Sequence, residues 1–579
     1  MRLVTDVRAD VRMVELHRIH VSLPSINGRP IRYGTGDGVD VHLGACFHSS
    51  SAGARWKQSV ASLVPTPETL VTDHRKPNVL FIQADQLKPQ VLPAYGGPAD
   101  TPHLDRLCGE GVVFENAYCN FPLCAPSRFS MLAGMLPSRI GAFDNGAELP
   151  AATPTMAHWL RLAGYHTTLS GKQHFVGPDM LHGFHERLVP ELYPTDFHWT
   201  PSWDEVRMDS NNDSSGVTRA GICVRSMQMD HDEAVLHRAV SRLHDFARDA
   251  DRRPFFLLTS FTHPHEPYCA QRKHWDRYRH ENVPMPATPL LPTPERDLHG
   301  ERMLVHHGLL DGRITPDHIR TARHAYLANC SYLDEMIGAL LDTLEATDLA
   351  RNTAIVITSD HGDMLGERGL WFKKHFFDHA ARVPLVIHAP ERFAAARRSE
   401  PVSLVDLLPT ICDLAGVDLA DRAPRPPDGS SLLPLCDDAT VARETPVFAE
   451  ITSEGVPAPM FMVRHGPFKL MTGGGAPDVL FDLRADPEER TDLSADPGSA
   501  ATLAALRGLA VETWDAAELE REVRTSQRER RLVQAAHGHG PAPRWDALES
   551  EPVWASCLRA PDDYNDWAWR GIESVGAGP

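Results

Sequence analysis

The chain has ten cysteines, yet no two of them stand in a C-x-x-C pair. Zinc ribbons and thioredoxin-like motifs need that spacing, so neither is indicated. Scattered thiols in a chain of 579 residues fit a reducing cytoplasm better than a disulfide framework, and predict a cytoplasmic protein. Long apolar runs are missing too, and none approaches the ~20 residues that cross a bilayer. Met1–Asp10 mixes charges and lacks the apolar core of a signal peptide, so no membrane partner is expected. Positive charge is scarce. Fifty-eight Lys and Arg against 77 Asp and Glu leave a net charge of −19. Nucleic-acid binding rests on cationic contacts, so no nucleic-acid partner is expected. There is no internal repeat. The length predicts roughly two to four domains.

Several apolar runs end on polar residues able to do chemistry. Asn78-Val-Leu-Phe-Ile-Gln-Ala84 reads as a buried strand of a parallel sheet and runs into Asp85-Gln86. Tyr165–Ser170 predicts a strand that leads to Lys172 and His174. Pro254–Phe261 leads to Thr262-His263-Pro264-His265-Glu266-Pro267, and Thr353–Ser359 to Asp360-His361-Gly362-Asp363. Open α/β sheets collect ligands at the carboxyl ends of their strands. The carboxylates of Asp85 and Asp360 and the amide of Gln86 suit a hard cation such as Ca2+ or Mg2+, and His361 keeps Mn2+ open. Lys172 and His174 can face an anion. The proline-fixed imidazoles at 263 and 265 suit acid–base work. Each feature also has a plainer reading, as the start of a loop or a solvated turn.

Cys124 lies in Pro122-Leu-Cys-Ala-Pro-Ser-Arg128, ahead of a helix-like run to Gly134. Two readings stand. It is a nucleophile at a helix start, where the dipole and Arg128 favour an anion, or a buried structural thiol, the commoner fate. Tyr193, Phe197, Trp199 and Trp203 cluster in a loop-rich stretch, as core or as the wall of a pocket. Short strands and helices from about 400 to 515 predict a smaller α+β domain. A basic helical stretch, Ser526–Val533, and Trp545, Trp554, Trp567 and Trp569 follow. Such a tail docks on its own body or on a neighbouring subunit.

In identity and order these motifs resemble the type I sulfatases of the alkaline-phosphatase-like superfamily. Cys124-Ala-Pro126-Ser-Arg128 is similar to their C-x-P-x-R signature, whose cysteine is oxidised to formylglycine. The resemblance runs from about Asn78 to Val533. Within the family it is nearest the choline sulfatases, through Tyr118–Arg128, Ala142–Asn145, Gly171–His174, Thr262–His265, Ser359–Trp371, Glu450 and Ser526–Arg528. It implies an α/β fold with a mostly parallel sheet flanked by helices. The catalytic domain would span 76–400 and the smaller α+β domain 401–525. Residues 1–75 would be an extension and 526–579 a tail that contributes to a homo-oligomer.

The resemblance also implies roles. Asp85, Gln86, Asp360, His361 and the modified Cys124 would hold one divalent ion, Ca2+ ahead of Mn2+ or Mg2+. Arg128 would steady the nucleophile, and Lys172 and Lys373 would neutralise sulfate. His174 would be base to the nucleophile, and His263 would protonate the leaving alkoxide. Asn145, Trp199 and Glu450 would receive choline; Trp199 as core and Glu450 as a surface charge stay open as plainer readings. The implied partners are a small sulfate ester and a formylglycine-generating, or other sulfatase-maturing, enzyme. Two departures stand out. Asn211-Asn212-Asp213 replaces the usual His-Asn pair, and Asp378 stands where Glu is common. Other alkyl or aryl sulfatases, phosphonate monoester hydrolases, and a binding protein with an unmodified Cys124 remain as alternatives.

Overall fold

The computed structural model describes residues 76–205, 212–250, 253–420, 422–453, 455–540 and 545. The expected extension at 1–75, Asn211, and the tail from 546 onward lie outside them.

The strands, in chain order, are β1 (Asn78–Asp85), β2 (Val112–Tyr118), β3 (His166–Gly171), β4 (Glu186–Arg187), β5 (Gly221–Cys223), β6 (Phe255–Pro264), β7 (Cys269–Gln271), β8 (Thr353–Ser359), β9 (Arg382–His388), β10 (Ala396–Ser403), β11 (Val447–Ile451), β12 (Met460–His465), β13 (Phe468–Gly473) and β14 (Val479–Asp482). Eight of them form one sheet in the order β10-β2-β9-β8-β1-β6-β3-β4. Its pairs are parallel except those made by β9, which runs against both β2 and β8. The expected mostly parallel α/β sheet is therefore present.

β1 shows why this sheet is sealed on both faces. All eight of its residues are buried. Leu80, Ile82 and Ala84 enter one core, while Val79 and Phe81 enter the other. A strand covered on both faces can carry an unbroken apolar run, and Val79–Ile82 is one. β8, β1, β6 and β3 are consecutive and parallel, so their carboxyl ends share one edge. Gly171 makes the β3 end possible. Its φ is +106°, and a Cβ there would meet the Ser260 carbonyl oxygen at 2.1 Å.

The main sheet continues past residue 400. β10 pairs with β2 through Ser403, and Leu407, Leu408 and Ile411 pack into the core under Phe81. The smaller domain is an antiparallel sheet, β11-β12-β13-β14. Leu503, Leu506 and Ala510 of the helix Ala500–Thr513 cover it. The last helix, Ala516–His537, buries Leu519 and Val523 in the same core, so the chain stays part of this body beyond residue 525. No helix among the described residues is long and apolar enough to cross a membrane.

Candidate active site

Cys124 opens the helix Cys124–Ala133, whose ten residues are all buried. Leu123 before it is extended, and Gly134 closes it with φ +65°. Cys124 Sγ lies 3.3 Å from His361 Nε2 and 3.9 Å from Asp85 Oδ1. Burial, reinforced by Asp85, pushes its thiol up to about 11 against the pull of Lys172 and Lys373. The unmodified side chain is therefore a thiol at neutral pH, not a thiolate nucleophile.

One turn on, Arg128 is fully buried and all three of its guanidinium nitrogens are engaged. Nε donates to Asp360 Oδ2 at 2.8 Å and Nη2 to Asp85 Oδ2 at 3.1 Å. Nη1 donates to the Lys172 carbonyl at 2.7 Å and to Ser260 Oγ at 2.8 Å. Lys172 Nζ also donates to Asp85 Oδ2. Burial alone would raise the Asp85 carboxyl, but Lys172, His265 and Arg128 hold it well below the usual carboxylate range. One strand end thus supplies the charge that stabilises another.

Asp85, Cys124, Asp360 and His361 offer four buried ligand atoms within 4.8 Å of one another. His361 Nε2 is 3.8 Å from Asp85 Oδ1 and 3.8 Å from Asp360 Oδ2. That is too far for a hydrogen bond and within the span of two ligands on one ion. Two carboxylates and an imidazole fit a divalent metal. Gln86 stands beside this group with φ +65°. Its Oε1 accepts from Lys373 at 2.6 Å, and its Nε2 donates to Glu266 at 2.6 Å and Asp363 at 2.7 Å. The amide thus links the metal group to Lys373.

The pocket over Cys124 is lined by Asn145, His174, Tyr193, Trp199, Asn212, His265, Lys373 and Lys374. His174 is buried, has φ +62°, and neither ring nitrogen has a hydrogen bond. Burial, then Lys172 and Arg128, hold its pKa well below the ordinary value, so it faces the pocket as a neutral base. Its ring lies 5.3 Å from Tyr193 and 5.6 Å from Trp199, which are 5.4 Å apart. Asn145 Oδ1 accepts from the Ala125 N–H at 3.0 Å, pinning the helix start. The neighbouring Asp144 is gripped by both guanidinium nitrogens of Arg530, at 2.6 and 2.8 Å. The last helix therefore braces this wall from a point nearly 400 residues away in the chain.

Two of the expected site residues stand away from the pocket wall. His263 does not line the pocket. Its Nδ1 lies 2.7 Å from Asp232 Oδ2, and its ring packs edge-on against Tyr332. His265 lines it instead. His265 Nδ1 bonds the Glu266 carbonyl at 2.7 Å, so the proton sits on Nδ1 and Nε2 accepts from Lys373 Nζ at 2.7 Å. The two imidazoles part because β6 ends at Pro264. Beyond a strand end, alternation no longer decides which way a side chain points. Glu450 is the second case. It is buried, but its Oε1 accepts from Ser138 N at 3.0 Å and Ser138 Oγ at 2.9 Å, and it does not line the pocket. Burial raises its acid to about 7 despite those bonds.

Residues given no role by the motifs also matter here. Glu266 receives Gln86 and Asn212, and lies 3.6 Å from Lys373. Asp232, one helix away, fixes His263 and Thr262. Asp378 holds Lys469 at 2.7 Å and lies outside the pocket. The only sequence signal for Glu266 was its place between two prolines.

A mostly parallel sheet whose adjacent strand ends bring two carboxylates and a lysine to a helix start that carries a thiol and a buried arginine has the build of an alkaline-phosphatase-like ester hydrolase. A family model described as Sulfatase matches residues 77–417, and one described as N-sulphoglucosamine sulphohydrolase, C-terminal, matches 366–513. The chain belongs to the sulfatase family and is a sulfuric ester hydrolase. It is 44% identical to the choline-sulfatase of Rhizobium meliloti over 483 residues, 81% of this chain and 93% of that one. It is 28% identical to an arylsulfatase of Clostridium perfringens, over 72% of this chain and 90% of that one. The phosphonate monoester hydrolase of Silicibacter pomeroyi shares the fold, with a TM-score of 0.61 and 24% identity over 76% of this chain and 95% of that one.

Proposed function

We propose that this sulfatase hydrolyses choline-O-sulfate to choline and sulfate at the Cys124 pocket. The observation that carries this reading is the aromatic wall of Tyr193 and Trp199 beside His174. A quaternary ammonium has no hydrogen to donate, and it is recognised by π faces. The likeness to a choline-sulfatase supports the same substrate.

Asp85, Asp360 and His361, with Gln86 beside them, would hold the divalent ion. The ion would supply a Lewis acid next to residue 124, and formylglycine made from Cys124 would supply a hydrated aldehyde as nucleophile. The chain's own groups do the rest. Arg128 bonds both Asp85 and Asp360, and with Lys172 and His265 it holds the Asp85 carboxyl ionised. Lys172 and Lys373 place positive charge where sulfate oxygens gather negative charge. His174 accepts a proton from the hydroxyl at position 124. His265 and Lys373 share a proton between Nε2 and Nζ and form the donor to the departing alkoxide.

Substrate preference tests the reading. kcat/KM for choline-O-sulfate is expected to exceed that for an aryl sulfate by about thirtyfold or more, the equivalent of ~2 kcal/mol from a desolvated cation–π contact. Phenylalanine at Trp199 should retain part of this preference and alanine should lose it. A higher kcat/KM on the aryl sulfate or on a phosphonate ester would sink the choline reading.

The two histidines are separable by kinetics. His265→Asn should cut kcat by about 10²–10⁴, the usual yield of a positioned acid. His263→Asn should change kcat far less and lower Tm, because it loosens Asp232. The opposite ranking in kcat would return the proton donor to His263.

A further inference from the structure

A cavity of about 280 Å³, lined by none of the residues of the Cys124 pocket, lies elsewhere in the fold. Lys88, Gln90, Arg323, Glu367, His379 and Glu488 bring polar atoms to it. None of these residues serves the Cys124 pocket. Glu367 comes from the loop after β8, His379 from the short helix Asp378–Ala381, and Glu488 from the turn after β14. Their ligand atoms lie within 4.8 Å of one another.

We propose that Glu367, His379 and Glu488 form a second divalent-metal site, separate from the group around Cys124. It takes Zn2+ or Mn2+ and ties the loop that carries the catalytic groups to the C-terminal sheet domain.

Three observations support it. First, His379 Nε2 and Glu488 Oε2 are 3.8 Å apart. That is beyond hydrogen-bond reach. Two ligands each ~2.1 Å from one zinc ion span about this separation. The same 3.8 Å recurs between His361 and its two carboxylates at the catalytic group. Second, Glu488 Oε2 is a buried atom that meets His379 Nε2 at that 3.8 Å and has no partner at hydrogen-bond distance. An ion would engage the carboxylate oxygen and one ring nitrogen and leave the other nitrogen as a donor to water in the cavity. Third, Glu367 is already oriented as a ligand is. Its Oε2 accepts from the Thr288 N–H at 2.9 Å and its Oε1 from Arg323 at 3.3 Å. Outer partners of this kind fix the direction of a coordinating carboxylate.

The charges nearby select the ion. Lys88 and Arg323 border the cavity, so a cation there meets two positive groups as well as two carboxylates. A site held by charge alone, as for Ca2+ or Mg2+, would be weak. Short bonds to imidazole and carboxylate favour a first-row transition ion. The consequence is mechanical. Glu489, next to Glu488, accepts from the Asp378 N–H at 2.8 Å and from Lys469. Arg368, next to Glu367, donates to the Glu489 carbonyl. An ion would close this clasp around the loop that carries Asp360, His361 and Lys373.

Zinc content tests the proposal without reference to turnover. Full-length protein is stripped with chelator, equilibrated with Zn2+, freed of excess by gel filtration and assayed for bound metal. Wild type should hold one equivalent more than Glu488→Gln and His379→Ala. Asp85→Asn combined with Asp360→Asn should keep that equivalent. Zn2+ should raise the Tm of the stripped wild type and of this double variant, and raise it less in Glu488→Gln. Equal zinc in wild type, Glu488→Gln and His379→Ala overturns the proposal. So does loss of all bound zinc in the Asp85→Asn/Asp360→Asn protein. If Glu488→Gln is unstable even when stripped, anomalous scattering at the zinc edge from wild-type crystals decides. A peak between the three side chains supports the site, and its absence refutes it.

Discussion

Replacing Cys124 with alanine is expected to lower kcat/KM by about 10⁴-fold or more while leaving Tm nearly unchanged, as loss of a covalent nucleophile does. Nothing else in the pocket can take its place. His174 and His265 are neutral bases, and Lys373 is committed to Gln86 and His265. The small effect on stability follows from the contacts. Cys124 Sγ makes only weak sulfur hydrogen bonds, at 3.3 Å to His361 and 3.9 Å to Asp85, whereas the backbone of the helix is held by Leu123 and Asn145. The comparison must be made on wild-type protein whose 124 peptide shows the aldehyde by mass spectrometry. In such material, equal activity of wild type and Cys124→Ala would refute the mechanism. A peptide that carries only thiol in protein from the native host would favour a binding protein instead.

Replacing Arg128 with methionine is expected to cost about 3–5 kcal/mol in stability, the range for breaking a buried pair by removing one partner. The side chain is fully buried and so are Asp85 and Asp360, to which it donates. Methionine fills much of the volume and none of the charge. Two carboxylates then remain desolvated, with Lys172 and Lys373 as the cations left to face them. The pH dependence has a definite sign. In the wild type the Asp85 carboxyl is depressed, so its contribution is present above the unfolded value near 4 and is lost only as pH falls through the lower folded value. Without the guanidinium, burial should leave at least one carboxylate raised. The native variant then binds a proton that the unfolded chain does not, and its deficit shrinks as pH falls from 8 toward 5. Urea unfolding of both proteins across that range checks it. A deficit below about 1 kcal/mol at pH 8, or one that widens on acidification, would contradict the assigned role.

Part of this was legible in the residues. The strands that hold Val79–Ile82 and Ala354–Ile357 are apolar there without alternation, which marks strands buried on both faces. Each runs straight into an aspartate, so the carboxylates had to meet at one sheet edge once the strands were parallel neighbours. Arg128 lies one helical turn from Cys124, a distance fixed by helix geometry. Those placements are local, or follow from the strand order. The domain borders were less legible. β10 and the helix Ala516–His537 run through the expected breaks at 400 and 525, because a strand belongs to the sheet it pairs with rather than to the segment it follows.

The sequence by itself determined the strand ends, the Cys124–Arg128 turn and hence the family, because these depend on periodicity and short spacing. Only the tertiary structure decided the rest. It turned His265 rather than His263 to Lys373, closed Glu450 onto Ser138, braced Asp144 with Arg530, and brought Glu367, His379 and Glu488 together. Each of these rests on loop paths and on partners far apart in the chain, for which no local pattern of residues carries a signal.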